Sequence, residues 1–446
     1  MGTVPDSAAA IRAELSPEAR LQHYLDIEAA LALTEAELGV IPAEAGPAIA
    51  AAARAERVDR GRIGEGQAKA GHRMMPIVED LARAAGEPAG GWVHWGATSQ
   101  NIEQTGLVLA IRQALGIVGG LLNATLEHLA DLAERSGEVL MAGRTHWQHA
   151  VPITFGFKVA TWADPLLRHR ERLTQVRPRL LIAMTGGAVG NFASLGDIGP
   201  AVQAGVARRL GLAPMLLPAR NLADPFAELV LVLGLLAASG GAIGDEIARL
   251  MAPEFGELAE NLPDGDIGSS TMPQKRNAKK AMLVATRSAE IRALAPLALD
   301  SVLQSHEVDG ARYAMLEGAV ERSLMLTGDL LEALRDLVGG LQFFPARMRQ
   351  NLDLTQGLIS AEAVMLALGR VIGRQAAHDV VHQASLAVAE RGGRFLTVLA
   401  ADPRVTEHLT APELAALLDP SNHAGLSALL ARETAARVRQ VLAAND

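Results

Sequence analysis

The sequence predicts an all-α protein of three helical domains, with a bundle of long helices in the middle. Three observations carry this prediction. Apolar residues make up 49% of the chain and aromatic residues only 3%, with alanine and leucine dominating, a balance that favours helices over sheets. Apolar residues recur at helical spacing over several segments longer than a compact fold uses, which fits a long-helix bundle. A length of 446 residues exceeds what one simple core organises and points to two or three domains.

Residues 1–14 read as a loose start with a short amphipathic piece. Ser16-Pro17-Glu18 supplies an N-cap followed by proline at the first helical position. The helix it opens runs through Leu21, Leu25, Ile27, Ala30 and Leu33 to Gly39. Further helices over 43–53 and 74–84 complete a first domain, 1–110. Across 111–354 the pattern places helices at 106–137, 153–177, 197–211, 225–250, 278–303 and 309–336, joined by short turns. Gly186, Gly187 and Gly190 mark a loop; they follow no clear strand, so a dinucleotide cradle is not expected there. The last domain, 355–446, is again helical, with Pro403, Pro412 and Pro420 as breakers.

Composition excludes several classes of function. A formal charge of −9 argues against a nucleic-acid surface, which needs clustered lysine and arginine. Without cysteine there is no disulfide framework, thiolate metal site or cysteine nucleophile. The N-terminus lacks a basic patch followed by an apolar core, so a cytoplasmic location is the expectation. The run from Leu229 to Gly244 is uncharged and largely apolar but falls short of the about 20 residues a spanning helix needs. It reads as a helix buried inside a bundle, and no membrane is expected as a partner.

Three polar clusters stand apart from this apolar background. His94-Trp95-Gly96-Ala97-Thr98-Ser99-Gln100-Asn101 lies just before the helix expected from Gly106, where unpaired N–H groups and the helix dipole favour a carboxylate. A plain N-cap by Thr98 or Ser99 explains the same residues. Gly143-Arg144-Thr145-His146-Trp147-Gln148-His149 holds a histidine suited to acid–base work near neutral pH, or equally to a structural role. Residues 268–277, Gly-Ser-Ser-Thr-Met-Pro-Gln-Lys-Arg-Asn, combine hydroxyls, backbone donors and a cation in one oxyanion-binding loop.

That last stretch resembles the signature loop of the fumarase/aspartase superfamily, G-S-S-x-M-P-x-K-x-N, at every specified position. The other two clusters match its remaining active-site regions in order and spacing, so the resemblance covers most of the chain. It implies a homotetramer whose central domains share one helix bundle, with each active site assembled from three subunits. It also implies Ser269 as catalytic base, held as an alkoxide by N–H donors and by Lys275, with Asn277 a carboxylate ligand. His146 would be the general acid, or would orient the leaving atom. Thr98, Ser99 and Thr145 would hold substrate carboxylates, with Asn101, Gln148, Ser270 and Met272 among the other substrate contacts. No metal or organic cofactor is implied, and the partner is a small di- or tricarboxylate.

Within the superfamily the chain is similar to the adenylosuccinate lyase and carboxymuconate cycloisomerase branch. Gly71-His72 resembles the adenylosuccinate lyase pattern and makes His72 a second catalytic candidate; a surface histidine at a helix start is the alternative. The chain departs from the branch at Asn101 and Gln104, each replacing an aspartate. It departs again at Leu222-Ala223-Asp224-Pro225, where a Gln-Arg-Asp-Arg stretch is usual, and at Met282, which replaces a glutamate often paired with the catalytic histidine. Arg312 and Arg220 are candidates to replace the lost anion contacts, or else are ordinary ion-pair residues. The implied reaction is β-elimination from a substituted succinate or aspartate, with cleavage of a C–N bond favoured, releasing fumarate. A 3-carboxy-cis,cis-muconate cycloisomerase and a catalytically retired structural or regulatory homologue are the alternatives.

Overall fold

The structure, a computed structural model, describes residues 7–261, 271–272 and 274–444. It bears out the all-α reading: long helices dominate, and the strands among the described residues are short. Four helices exceed 25 residues: Ser99–Arg135, Phe155–Leu180, Asp224–Leu250 and Gly310–Gly339. The chain divides into two compact units. One comprises Met1–Leu121, His169–Ala238 and Thr286–Glu332, the other Leu122–Arg168, Ser239–Ala285 and Ala333–Asp446.

In the first unit the Pro17–Glu37 helix starts as its sequence demands. Ser16 accepts a hydrogen bond from the Ala19 amide, and Pro17 opens the helix where its missing N–H costs nothing. Ala30 and Leu31 pack against Val202 and Val206 of the Gly199–Leu210 helix. Gly205 permits this approach, since a Cβ there would fall 2.3 Å from the Thr34 methyl. The helix expected from Gly106 begins seven residues earlier, at Ser99. Gly106 is no breaker. It seats the Tyr24 ring, which a Cβ would meet at 2.6 Å. A helix not foreseen, Arg60–Ala70, starts at Asp59, whose carboxylate accepts from the Gly61 and Arg62 amides.

In the second unit, strands Leu140–Thr145 and Gln148–Thr154 form an antiparallel hairpin, and Leu258–Ala259 pairs with Gln342–Phe343. The helices Ala361–Ile372 and Arg374–Arg391 close a small core around Phe395, Leu399 and Leu414. The prolines expected to break helices here begin elements instead. Pro403 and Pro420 are the first residues of their helices and Pro412 the second residue of its helix, all positions where proline fits.

Among the described residues two helices, Ser99–Arg135 and Asp224–Leu250, are long and apolar enough to cross a membrane. The apolar run at 229–244 is thus part of a helix of 27 residues, longer than the run itself. Of their most apolar windows, 72% and 67% are buried inside the protein, as expected of interior helices.

Candidate active site

The sequence-predicted residues fall into both units. The first holds His72, Thr98, Ser99, Asn101 and Arg312; the second holds Thr145, His146, Gln148, Met272, Lys275 and Asn277. Ser269 and Ser270, with Gly268 and Pro273, lie outside the described residues.

In the first unit, Thr98 and Ser99 are half-buried where the 37-residue helix begins, and the Thr98 carbonyl accepts the Asn101 amide at 2.8 Å. Three residues of the first turns tie this start to neighbouring loops. Asn101 is fully buried and its Oδ1 accepts from the Gly187 amide at 3.0 Å. Thr105 Oγ1 accepts from Met184 at 3.1 Å, and Gln104 Nε2 donates to the Arg220 carbonyl at 2.9 Å. Asn101 and Gln104, the two amides that replace expected aspartates, therefore organise loops through neutral hydrogen bonds and bring no charge to the helix N-terminus. That keeps the site open to an anion.

His94 precedes these residues with φ of +64°, and its Nδ1 meets the buried carboxylate of Glu28 at 2.6 Å. Burial disfavours charge on His94, but Glu28 outweighs it and holds the histidine above its ordinary pKa. Glu35 lies fully buried and without a partner for either oxygen. Burial, reinforced by the charge of Glu28, pushes it up to about 8.

Three other candidates in this unit differ sharply in their commitments. His72 is exposed, and its Nδ1 accepts from the Met74 and Met75 amides, each at 3.2 Å. The neutral ring therefore carries its proton on Nε2. Arg312 is ion-paired with Asp300. Arg220 has no ion-pair partner among the described residues; its Nε is buried without a hydrogen bond, and burial lowers its pKa. Of the two arginines proposed to replace lost anion contacts, Arg220 is the one left with an uncommitted charge.

In the second unit, Thr145 and Gln148 close the hairpin, and His146-Trp147 form its two-residue turn with φ of +49° and +68°. Positive φ at both central positions is the requirement of a I′ turn. It leaves Thr145, His146 and Gln148 exposed at the tip, with the Trp147 ring 4.8 Å beneath the Arg249 guanidinium. One residue back, Arg144 makes a two-pronged ion pair with Glu257, which is 0% exposed and also accepts from Asn351 Nδ2 at 2.7 Å. Glu257 lies in the segment that leads into residues 268–277. Within residues 268–277, Lys275 is exposed and Asn277 half-buried; beyond them, the Lys280 and Ala281 amides donate to Glu260 at 3.1 and 2.9 Å.

One residue outside the predicted set has the properties of a site residue. His149 pairs with Arg144 across the hairpin, and its Nδ1 is buried and unpartnered. Burial, then the charge of Arg144, lowers its pKa, against a smaller opposing effect of Glu257. The signal was in the sequence as the second histidine of His146-Trp147-Gln148-His149. Alternation along a strand would have put it on a different face from Gln148.

This long-helix scaffold is that of a helical class of lyases and cycloisomerases, as its relatives show. Residues 2–292 match the family model described as Lyase, and residues 357–434 match Adenylosuccinate lyase C-terminus. The chain is 42% identical to the 3-carboxy-cis,cis-muconate cycloisomerase of Pseudomonas aeruginosa, over 94% of this chain and 92% of that one. It is 37% identical to the N-acetyl-S-(2-succino)cysteine lyase of Dickeya dadantii, over 93% and 91%. Among solved structures it superimposes on fumarate lyase from Mesorhizobium sp. BNC1 with a TM-score of 0.90 and 34% identity, covering 98% and 99% of the two chains. The chain belongs to the fumarase/aspartase superfamily and is an enzyme.

Proposed function

We propose that this enzyme catalyses β-elimination from a substituted succinate, breaking a bond from carbon to nitrogen or sulfur and releasing fumarate. The observation that carries the proposal is the intact residue set of the signature regions, Ser269, Lys275 and Asn277 in one cluster and His146 in another. In the proposed reaction the Ser269 alkoxide removes the proton next to a carboxylate. The electron pair enters that carboxylate as a doubly charged aci-carboxylate, then returns to form the C=C bond as the C–N or C–S bond breaks. His146 gives a proton to the departing nitrogen or sulfur. Lys275 and backbone N–H groups of the signature stretch are assigned to offset the developing charge, each well-placed donor contributing about 3–4 kcal/mol. Thr98, Ser99 and Thr145 hold the carboxylates, drawn from separate copies of the chain in a homotetramer.

Sulfur enters as a leaving atom because of the 37% identity to a lyase named for a succinated cysteine. A second reading, lactonisation of 3-carboxy-cis,cis-muconate by the same proton chemistry, rests on the 42% identity to a cycloisomerase. Against it, and equally against adenylosuccinate as the substrate, stands the Leu222-Ala223-Asp224-Pro225 stretch, which lacks the glutamine and two arginines usual in that branch.

The test is a spectrophotometric panel of N-substituted aspartates, S-(2-succino)cysteine derivatives, adenylosuccinate and 3-carboxy-cis,cis-muconate, with Ser269→Ala beside the native enzyme. Fumarate from a substituted succinate, lost in Ser269→Ala, is the expected result. Carboxymuconate consumed without fumarate would select the cycloisomerase, and turnover that survives Ser269→Ala would remove the serine from its role.

A further inference from the structure

We propose that the second unit carries a site for a divalent transition-metal ion on the exposed side of its Arg374–Arg391 helix, made by His378 and His382. Four residues separate the two histidines, so they stand one above the other on the same helix face. Their rings are nearly parallel, with planes 14° apart and centroids separated by 5.9 Å. Both rings belong to exposed residues, while Ala377, Val380, Val381, Ala384 and Val388 face the core. Paired imidazoles at this spacing can close on one ion, as the two histidines of a helical zinc motif do.

The fold leaves both rings available. Among the described residues neither makes a hydrogen bond, and the acidic group beside His378 is its own neighbour Asp379, whose Oδ1 lies 3.5 Å from Nδ1. That separation is too long for a hydrogen bond, yet a carboxylate on the Nδ1 side favours the proton there. The lone pair then falls on Nε2, at the far side of the ring, where a metal would take it. A carboxylate behind the non-ligating nitrogen is the usual support of a metal-bound histidine.

Ligand chemistry sets the class of ion. Imidazole nitrogen suits Cu²⁺, Ni²⁺ and Zn²⁺, whereas Mg²⁺ and Ca²⁺ prefer oxygen. Where a site imposes little geometry, Cu²⁺ binds more tightly than Ni²⁺ or Zn²⁺. Among the described residues no group of three or more histidine, cysteine, aspartate or glutamate side chains could hold a metal. The site is therefore a two-point clip whose remaining positions are filled by water, and its ion is exchangeable. A bound ion ties two successive turns of the helix together and stabilises the folded chain by mass action. None of the residues assigned to the reaction takes part in it.

Calorimetric titration of the full-length enzyme with CuCl₂, NiCl₂ and MgCl₂, in a buffer that does not chelate metals, tests the proposal. Cu²⁺ should bind most tightly, Ni²⁺ more weakly and Mg²⁺ not at all. The chain has 12 histidines, so the site is identified by difference. His378→Gln and His382→Gln should each weaken one bound Cu²⁺ per chain by at least about tenfold, the loss of chelation. The double variant His382→Gln/Gln383→His keeps the number of histidines but moves the second ring about 100° round the helix, and it should weaken that ion equally. Electron paramagnetic resonance with one equivalent of Cu²⁺ should show two imidazole nitrogens in the native enzyme and lose that pattern in all three variants. Melting curves by circular dichroism confirm that each variant folds, as expected of changes at exposed positions. Cu²⁺ affinity unchanged in the spacing variant or in either single variant, or a resonance pattern that all variants share, would overturn the proposal.

Discussion

Arg144 closes both arms of its guanidinium on Glu257, with hydrogen bonds of 2.6 and 3.1 Å to the two oxygens of a carboxylate that solvent does not reach. Asn351 supplies a further donor to the same group. A buried carboxylate is tolerable only while such donors persist. Removing one partner of a buried pair costs about 3–5 kcal/mol, since the other charge is left uncompensated. Arg144→Ala should therefore lose about that much stability in urea titrations. Arg144→Lys should recover only part of it, because one ammonium cannot reproduce a planar fork. A loss below about 1 kcal/mol in Arg144→Ala would show that water or neighbouring groups satisfy Glu257 in its place.

The hairpin turn next to that pair holds two bulky residues in the left-handed region, His146 at φ +49° and Trp147 at +68°. For a residue with a Cβ that conformation costs roughly 1–2 kcal/mol, and glycine escapes the cost. Trp147 recovers part of it by stacking under Arg249, a contact worth about 0.5–1 kcal/mol for a ring that is 76% exposed. The larger effect wins. Trp147→Gly should raise stability by up to about 1 kcal/mol, measured by the urea midpoint. Destabilisation would mean that the ring packs more firmly than its exposure indicates.

The same turn shows why the hairpin was illegible in the sequence. Its two central residues are neither glycine nor asparagine, and Pro152 sits inside the second strand, so every ordinary hairpin signal is missing. The Arg60–Ala70 helix was hidden differently, by Gly61, Gly64 and Gly66 and by having only Ile63 buried. The Pro17–Glu37 helix was legible because Ser16-Pro17 is a local signal and its apolar spacing is regular. The candidate site divides along the same line. Hydroxyls, histidine and lysine stand in readable clusters, whereas Glu257, Glu260 and Asn351 support them through partners distant in sequence. Charged and amide residues of that kind look like surface until the fold brings a donor to each.

Stability should fall as pH rises through the range set by Glu35. An unfolded glutamate titrates near 4.5, and the buried Glu35 near 8, so between those values the native state binds more protons than the unfolded chain. Stability is then fully present below about 4.5 and declines up to about 8, by a few kcal/mol. His94 adds in the same direction. Its pKa is raised through Glu28, so its contribution is complete below the ordinary histidine value and fades as pH climbs through the raised one. Glu35→Gln, which stays neutral throughout, should flatten the slope of unfolding free energy against pH across this window. An unchanged slope would place the titration elsewhere.

Glu260 ties the chain before residues 268–277 to the helix that follows them. It precedes the loop on the chain, yet its carboxylate accepts from the Lys280 and Ala281 amides beyond it, at the start of the Lys279–Asp300 helix. The side chain is 2% exposed, so these bonds form where water does not compete. The carboxylate also matches the positive end of that helix. Glu260→Ala removes a cap and should cost about 1–2 kcal/mol of stability. Glu260→Gln keeps one acceptor oxygen and should cost less. Residues 268–277 lie in sequence between the two sides of this contact, so turnover should fall further than stability does, and it should fall in kcat more than in KM if residues 268–277 supply the base. Steady-state kinetics on the two variants, read beside their urea midpoints, separates the effects. Equal, small losses in both quantities would reduce Glu260 to an ordinary helix cap.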